Sequence, residues 1–416
     1  MNKTIDKKTR DTLLNALEKM TAHSRQLQDK REQQLWKSFE TPCNLSDVLS
    51  YLTKSELDSI RQNLDLRGIS ALKKGELAEV LEQSIPHKLK DILYKFDLER
   101  YDLLHKIIKK TKVSIKDSEF SISKIRSLRE IGIIFPGIDQ DQKFLTMPSE
   151  LMDIFAQVDG TRLKEVIRRN TEWIGLTHGM LYYYGVMSTS DLVDRLRILT
   201  NQEVDSREYL NVFAASSHYY KQARFSPSGI GLEDYRVING KKLMEEHKKR
   251  PTIDYYPFTK KQLLKAGDPS YFERTPQMGR LLLFLSQYYD IDQSELNELA
   301  LQLISLINKE ANLSGMMDYL QNQFEFQSFE FVQQVTQMVV DVHNTTFMWA
   351  LKGYSPSWVS INKERNQLKP IPSMIPMRKS FPSNVIEISS RTKTGRNDPC
   401  TCGSGKKRKK CCGNLE

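Results

Sequence analysis

The sequence predicts a mostly α-helical protein of several modules, with one small β-hairpin and a metal-bound knuckle near its C-terminal end. Three observations carry this expectation. Apolar residues recur at three- and four-residue spacing through most of the chain, the period of helices that bury one face. β-favouring residues gather on both sides of a turn-rich stretch around residues 133–146. Four of the five cysteines fall within the 13 positions from Cys400 to Cys412. Such crowding suits a metal better than disulfides, which would be spread to staple distant segments.

The bulk properties set outer limits. A length of 416 residues suggests about three domains. With 39% hydrophobic and 27% charged residues the chain can bury a core, so wholesale disorder is excluded. No window approaches the roughly 18 consecutive apolar residues of a membrane span. The first twenty residues are charged and amphipathic, unlike a secretory leader, and a soluble cytoplasmic protein is expected. The net charge of +10 is modest and consistent with a polyanionic partner.

The elements follow in order. Residues 1–43 read as an N-terminal amphipathic helix, with Leu13, Leu14, Leu17 and Met20 on one face. Cys43, with no second Cys or His nearby in sequence, reads as an inert thiol. In the module 44–86, Thr53 and Glu56 have the spacing of a capping box, followed by Leu57, Ile60 and Leu64 on one helical face. Gly68 breaks that pattern. A second helix starts near Lys73 and is expected to stop at Pro86. Between 87 and 160, helical patterns run from Leu89 to Lys110 and from Ile122 to Ile131. The runs Ile133–Phe135 and Phe144–Thr146 then flank a turn as a hairpin.

Residues 161–361 read as a helical domain, with segments near 161–170, 175–185, 188–200, 205–215, 259–266, 277–288, 293–311, 313–321 and 327–342. The run Tyr182–Tyr184 reads as core, Gly185 as a helix end and Ser188 as the next N-cap. In 344–359, Met348, Trp349 and Trp358 should pack and Pro356 marks a turn; its Asn-Thr…Trp…Gly-x-x-Pro pattern resembles one found beside zinc tails in other bacterial proteins. Residues 362–394, with Pro370, Pro372, Pro376 and Pro382, read as a Pro-rich linker to a knuckle at 395–416.

Two further resemblances concern the first modules. The string from Leu52 to Ile85, LTKSELDSIRQNLDLRGISALKKGELAEVLEQSI, resembles the SAP and Rho N-terminal helical modules. Members of those families often bind nucleic acid, and the resemblance implies Arg67, Lys73 and Lys74 as the contacting edge. The helices and hairpin of 87–160 resemble a winged helix, preceded by the basic run His105–Lys112. The alternative for both is a scaffold with a solvated charged face.

The tail is the sharpest signal. Its ligand pattern is Cys-x-Cys, eight residues, Cys-Cys, and four thiolates make a closed tetrahedral site for structural zinc. So short a segment cannot bury a core, so the metal must supply its folding energy, on the order of 10–16 kcal/mol. The string GRNDPCTCGSGKKRKKCCG resembles the SEC-C motif, the zinc-binding tail of the SecA translocase and of many other bacterial proteins. The resemblance assigns the zinc ligands to Cys400, Cys402, Cys411 and Cys412, one Zn(2+) per chain. Thr401 departs from the family's common proline. Residues 391–416 carry eight basic and two acidic side chains. Lys406, Lys407, Arg408, Lys409 and Lys410 would form a cationic loop for an acidic partner. In the family such tails contact a secretion chaperone, the ribosome or anionic lipid.

No catalytic constellation is evident. In GSGKK, Lys406 is followed by Lys407 rather than Ser or Thr, so the phosphate-loop pattern fails. The seven histidines are scattered, none at metal-ligand spacing with another ligand. The expected function is that of a non-enzymatic zinc-binding adaptor whose basic knuckle docks on a protein-export or ribosome-associated partner. The alternative is nucleic-acid binding through residues 44–160.

The spacing generates a direct test. Elemental analysis of the purified protein should find one zinc per chain, and a Cys411→Ser, Cys412→Ser variant should hold none. Equal zinc in both proteins would sink the ligand assignment.

Overall fold

The computed structural model describes residues 19–23, 26, 32–115, 120–310 and 312–362. All of them belong to one compact unit, Met1–Pro372. Most of the expected N-terminal helix, the linker beyond Asn362 and the whole cysteine tail lie outside the described residues.

The first core is built by α1 (Leu45–Tyr51), α2 (Lys54–Asn63), α3 (Lys74–Leu93), α4 (Leu98–Lys110), α5 (Ile122–Glu130) and α6 (Ser149–Val158). At the start of α2 the capping box forms as expected. The Thr53 hydroxyl accepts from the Glu56 amide, and the Thr53 amide donates to Glu56 Oε2 at 2.7 Å.

Pro86 does not stop the second helix of this module. It lies inside α3, which continues to Leu93. The reason is the apolar stripe Leu77, Leu81, Ile85, Leu89 and Leu93, one residue per turn and all fully buried. A proline in a helix interior costs about 3 kcal/mol. Leu89 and Leu93 beyond it each recover about 1.5–3 kcal/mol by burial, so packing prevails. The pattern read as one stretch from Leu89 to Lys110 is accordingly two helices, α3 and α4. The break between them leads to Asp97, whose carboxylate caps α4.

Four short strands complete this core in the order β1–β3–β4–β2. The hairpin of β3 (Phe135–Asp139) and β4 (Gln142–Thr146) closes on Gln140 and Asp141, both with positive φ (45° and 63°). That two-residue turn matches the natural strand twist. Strand β3 thus starts at Phe135, while Ile133 and Ile134, expected in the strand, are buried ahead of it. The edges are β1 (Lys37–Ser38), parallel to β3, and β2 (Lys112–Ser114), antiparallel to β4.

Helix α7 (Thr161–Tyr184) is a single helix where the spacing suggested two. At 1.5 Å per residue its 24 residues span about 36 Å. Leu163 and Ile167 belong to the first core; Trp173, Leu176, Met180 and Tyr184 belong to the second. The second core also takes in α8 (Thr189–Thr200), α9 (Ser206–Tyr220) and α11 (Lys260–Ala266). It contains a sheet not anticipated from the sequence, in which β7 (Gly231–Asp234) lies between β5 (Val186–Ser188) and β6 (Ala223–Phe225). Helix α10 (Gly240–Lys248) was likewise not anticipated. A third core packs α12 (Pro276–Tyr288), α13 (Gln293–Asn308), α14 (Leu313–Gln323) and α15 (Phe329–Thr345).

The segment after α15 closes the unit. Trp349 is buried and its indole Nε1 donates to the Tyr182 carbonyl at 2.8 Å. Pro356, expected at a turn, opens α16 (Pro356–Asn362), where a missing N–H costs nothing because first-turn amides have no partner inside the helix.

Helices α7 and α11 cross at backbone contact. A methyl group at Gly179 would lie 1.9 Å from the Leu263 carbonyl oxygen, and one at Gly267 would lie 2.4 Å from the Gly175 carbonyl oxygen. Only glycine permits this approach. Gly179→Ala should therefore destabilise the protein by about 3 kcal/mol or more. Gly75→Ala, exposed in the first turn of α3 with open space around it, should instead stabilise by about 0.5–1 kcal/mol. Urea unfolding of both variants checks this; a mild effect at Gly179 would show that the crossing relaxes.

Candidate functional site

The sequence assigned two sites, and the described residues hold one of them. Cys400, Cys402, Cys411 and Cys412, with Lys406 to Lys410, lie outside the described residues. Their donor chemistry fits zinc, since four thiols supply a complete soft tetrahedral set. Among the described residues no group of three or more His, Cys, Asp or Glu side chains could hold a metal ion. Cys43 is buried, and burial together with nearby Glu150 pushes its thiol up to about 11, so it stays protonated and unreactive.

The basic edge of 44–86 is folded into its own module. Arg67 is exposed but ion-paired with Asp65 at 2.9 Å. The Lys74 ammonium donates to the Ser50 carbonyl at 2.8 Å. Lys73 is the N-cap of α3, and its amide donates to Glu76 Oε2. Farther along, Lys112 pairs with Asp139 at 3.0 Å. The three residues do flank one loop, between α2 and α3, but two of their charges are already engaged.

The structure adds a site that spacing could not reveal. A cavity of about 500 Å³ lies between the second and third cores, lined among others by His178, Tyr182, Tyr220, Gln222, Arg236 and Lys309. Its walls come from α7, the end of α9, the end of β7, the 266–271 turn and α13. His178 stands on α7 between Gly175 and Gly179. The residue is 5% exposed, its ring packs edge-to-face on Tyr220, and its Nε2 has no hydrogen-bond partner among the described residues. Burial pushes its pKa down to about 4; Asp234 and Asp97 oppose that without reversing it. The imidazole is therefore neutral at pH 7.

Beside it, Asp234 takes two parallel hydrogen bonds from Arg236, at 2.8 and 2.7 Å. Burial works against the Arg236 charge, but this carboxylate holds it fully protonated. The guanidinium lies over the rings of Tyr182 and Trp349 at 5.0 and 5.6 Å. Gln222 donates through Nε2 to the Gly267 carbonyl at 2.9 Å, leaving a buried Oε1 with no partner. Lys221 and Lys309, both exposed, line the same cavity and make no ion pair among the described residues. Residues from position 178 to position 309 converge here. The only trace in the sequence is the glycine pair of GLTHG at 175–179.

Comparison with known proteins places the tail. The SEC-C motif matches residues 396–414, so the chain carries this motif, which is of a zinc-binding type. The chain is similar to a "Protein translocase subunit SecA" of Caldicellulosiruptor saccharolyticus, 36% identical over 91 residues, which are 22% of this chain and 10% of that one. It is also similar to the SecA of Nitratidesulfovibrio vulgaris, 58% identical over 36 residues, 9% of this chain and 4% of that one. A UPF0225 protein of Geobacter sulfurreducens is 91% identical over 22 residues, 5% of this chain and 14% of its own. The chain thus spans between 4% and 14% of the length of these relatives. No solved structure matches the chain. Among the described residues no helix is long and apolar enough to cross a membrane.

The buried neutral histidines generate a pH prediction. His247 is also pushed down to about 4 by burial, while its Nε2 donates to the Trp349 carbonyl at 2.7 Å. Unfolded, each histidine titrates near 6.5; folded, each resists protonation until about pH 4. Below pH 6.5 the unfolded state therefore binds more protons, and stability falls with pH. Each histidine should remove about 1.5 kcal/mol between pH 6.5 and 5. Urea unfolding at both pH values should show this loss, reduced by about half in His178→Gln. Equal stability at pH 6.5 and 5 would contradict the burial of these rings.

Proposed function

We propose that this protein is a zinc-binding adaptor whose basic C-terminal knuckle docks on a protein-export or ribosome-associated partner, acting by binding and without catalysis. The observation that carries the reading is the SEC-C motif at 396–414 with its four cysteines and five consecutive basic residues. One zinc per chain would be held by Cys400, Cys402, Cys411 and Cys412. Four thiolates leave no position open for water, so the ion organises the backbone and takes no substrate. Lys406 to Lys410 would then stand on a loop closed at both ends by the metal. A metal-closed loop spends less entropy on docking than a free one. Eight basic against two acidic residues in 391–416 favour an acidic surface. Similar proteins include SecA subunits, which are named as protein translocase subunits.

The reading is tested with the full chain against purified ribosomes and a purified secretion chaperone, by co-sedimentation and pull-down. One variant carries Lys406→Ala, Lys407→Ala, Arg408→Ala, Lys409→Ala and Lys410→Ala; the other carries Cys411→Ser and Cys412→Ser. One of the two partners should bind the wild type, and both variants should lose at least tenfold in affinity. Binding unaffected in both variants would reject the knuckle as the docking element. Binding that survives both but falls steeply with salt and with nuclease would point instead to nucleic acid at residues 44–160.

A further inference from the structure

We infer that the cavity beside His178 is a binding site for a free nucleoside monophosphate. This goes beyond the adaptor reading and is independent of it, since every residue involved lies in the described body. The volume of about 500 Å³ falls in the range of small-molecule sites. Three features of its lining select the ligand.

The first is charge. Asp234 is consumed by Arg236, and the Asp268 carboxylate accepts from the Ser270 amide and hydroxyl at 2.8 and 2.5 Å. Lys221 and Lys309 make no ion pair among the described residues, so the rim presents two ammonium groups against the single remaining carboxylate of Asp268. An anionic group on the ligand answers them.

The second is aromatic surface. Tyr182, Tyr220, Tyr235 and Tyr271 all line the cavity. Tyr235 is 45% exposed, with Arg224 5.2 Å from its ring centre. A half-exposed ring braced by a guanidinium is a stacking platform for a flat heterocycle.

The third is the pair of unsatisfied polar atoms. Gln222 is fixed by its amide bond to the Gly267 carbonyl, so its buried Oε1 is held as an acceptor without a donor. His178 Nε2, of another lining residue, is likewise buried and unpartnered. A buried polar atom without a partner costs about 1–3 kcal/mol, which a ligand N–H recovers. A flat ring with N–H groups on its edge and a phosphate at its other end meets all three demands. Inorganic phosphate meets only the first, and a nucleoside only the other two.

Isothermal titration of the full chain with AMP, GMP, CMP and UMP, with inorganic phosphate and adenosine alongside, tests the assignment. At least one mononucleotide should bind once per chain. Phosphate and adenosine should bind at least tenfold more weakly than AMP or the preferred nucleotide. A Lys221→Ala, Lys309→Ala variant should lose at least tenfold in mononucleotide affinity. Tyr235→Ser should weaken the nucleotide severalfold and leave any phosphate binding unchanged. All three positions are exposed, so the variants should fold; Lys90→Ala, exposed on α3, should bind as wild type. No binding of any mononucleotide at 1 mM, phosphate binding as tightly as nucleotide, or an unchanged lysine variant would each overturn the proposal.

Discussion

Much of the unit rests on one steric condition: α7 and α11 touch backbone to backbone. A side chain at Gly179 or Gly267 would run into the opposing backbone, and one at Gly175 would press on the Leu264 side chain. The approach fixes the Gly267 carbonyl, which in turn fixes Gln222. One wall of the cavity is therefore set by this crossing and the Gln222 side chain tethered to it.

Electrostatics then joins the first core to the second. Asp97 and Arg100 form an ion pair at 3.0 Å with both side chains 2% exposed. Burying such a pair is costly, and the remaining donors must be used. Two of the three are: Arg100 Nη1 donates to the Ala215 carbonyl of α9 and Nη2 to the Lys95 carbonyl. Asn170 of α7 adds two bonds to the carbonyls of Tyr94 and Phe96. Tyr219 and Tyr220 reach back from α9 to Glu99. Loss of one member of the Asp97–Arg100 pair would leave an uncompensated buried charge, typically 3–5 kcal/mol. The same economy applies at Asp234 and Arg236, so the second core tolerates charge beside a neutral histidine.

The sequence made some of this legible and hid the rest for physical reasons. Capping at Thr53, the hairpin around Gln140 and Asp141, and the helical periods of 161–345 are local properties, decided within a few residues. Pro86 and Pro356 misled because their effect depends on what lies around them: a buried stripe overrides the first, and a helix start accommodates the second. The sheet of β5, β6 and β7 was missed because strands of three or four residues carry too few side chains to show a period. The zinc tail was legible because its ligands sit within 13 residues. The cavity was not, because His178, Gln222, Arg236 and Lys309 meet only after four separate segments have folded.

Helix α7 belongs to two cores at once, and this has a consequence for how the body comes apart. The expected boundary near residue 160 falls at the start of that helix, ahead of its contribution to either core. Opening the first core strips cover from Leu163 and Ile167; opening the second exposes Trp173 to Tyr184 on the same continuous rod. Because a helix loses its ladder cooperatively, disorder entering at one end spreads toward the other. The two cores therefore share a single melting fate, and amide exchange across α7 should follow one global opening instead of two subglobal ones.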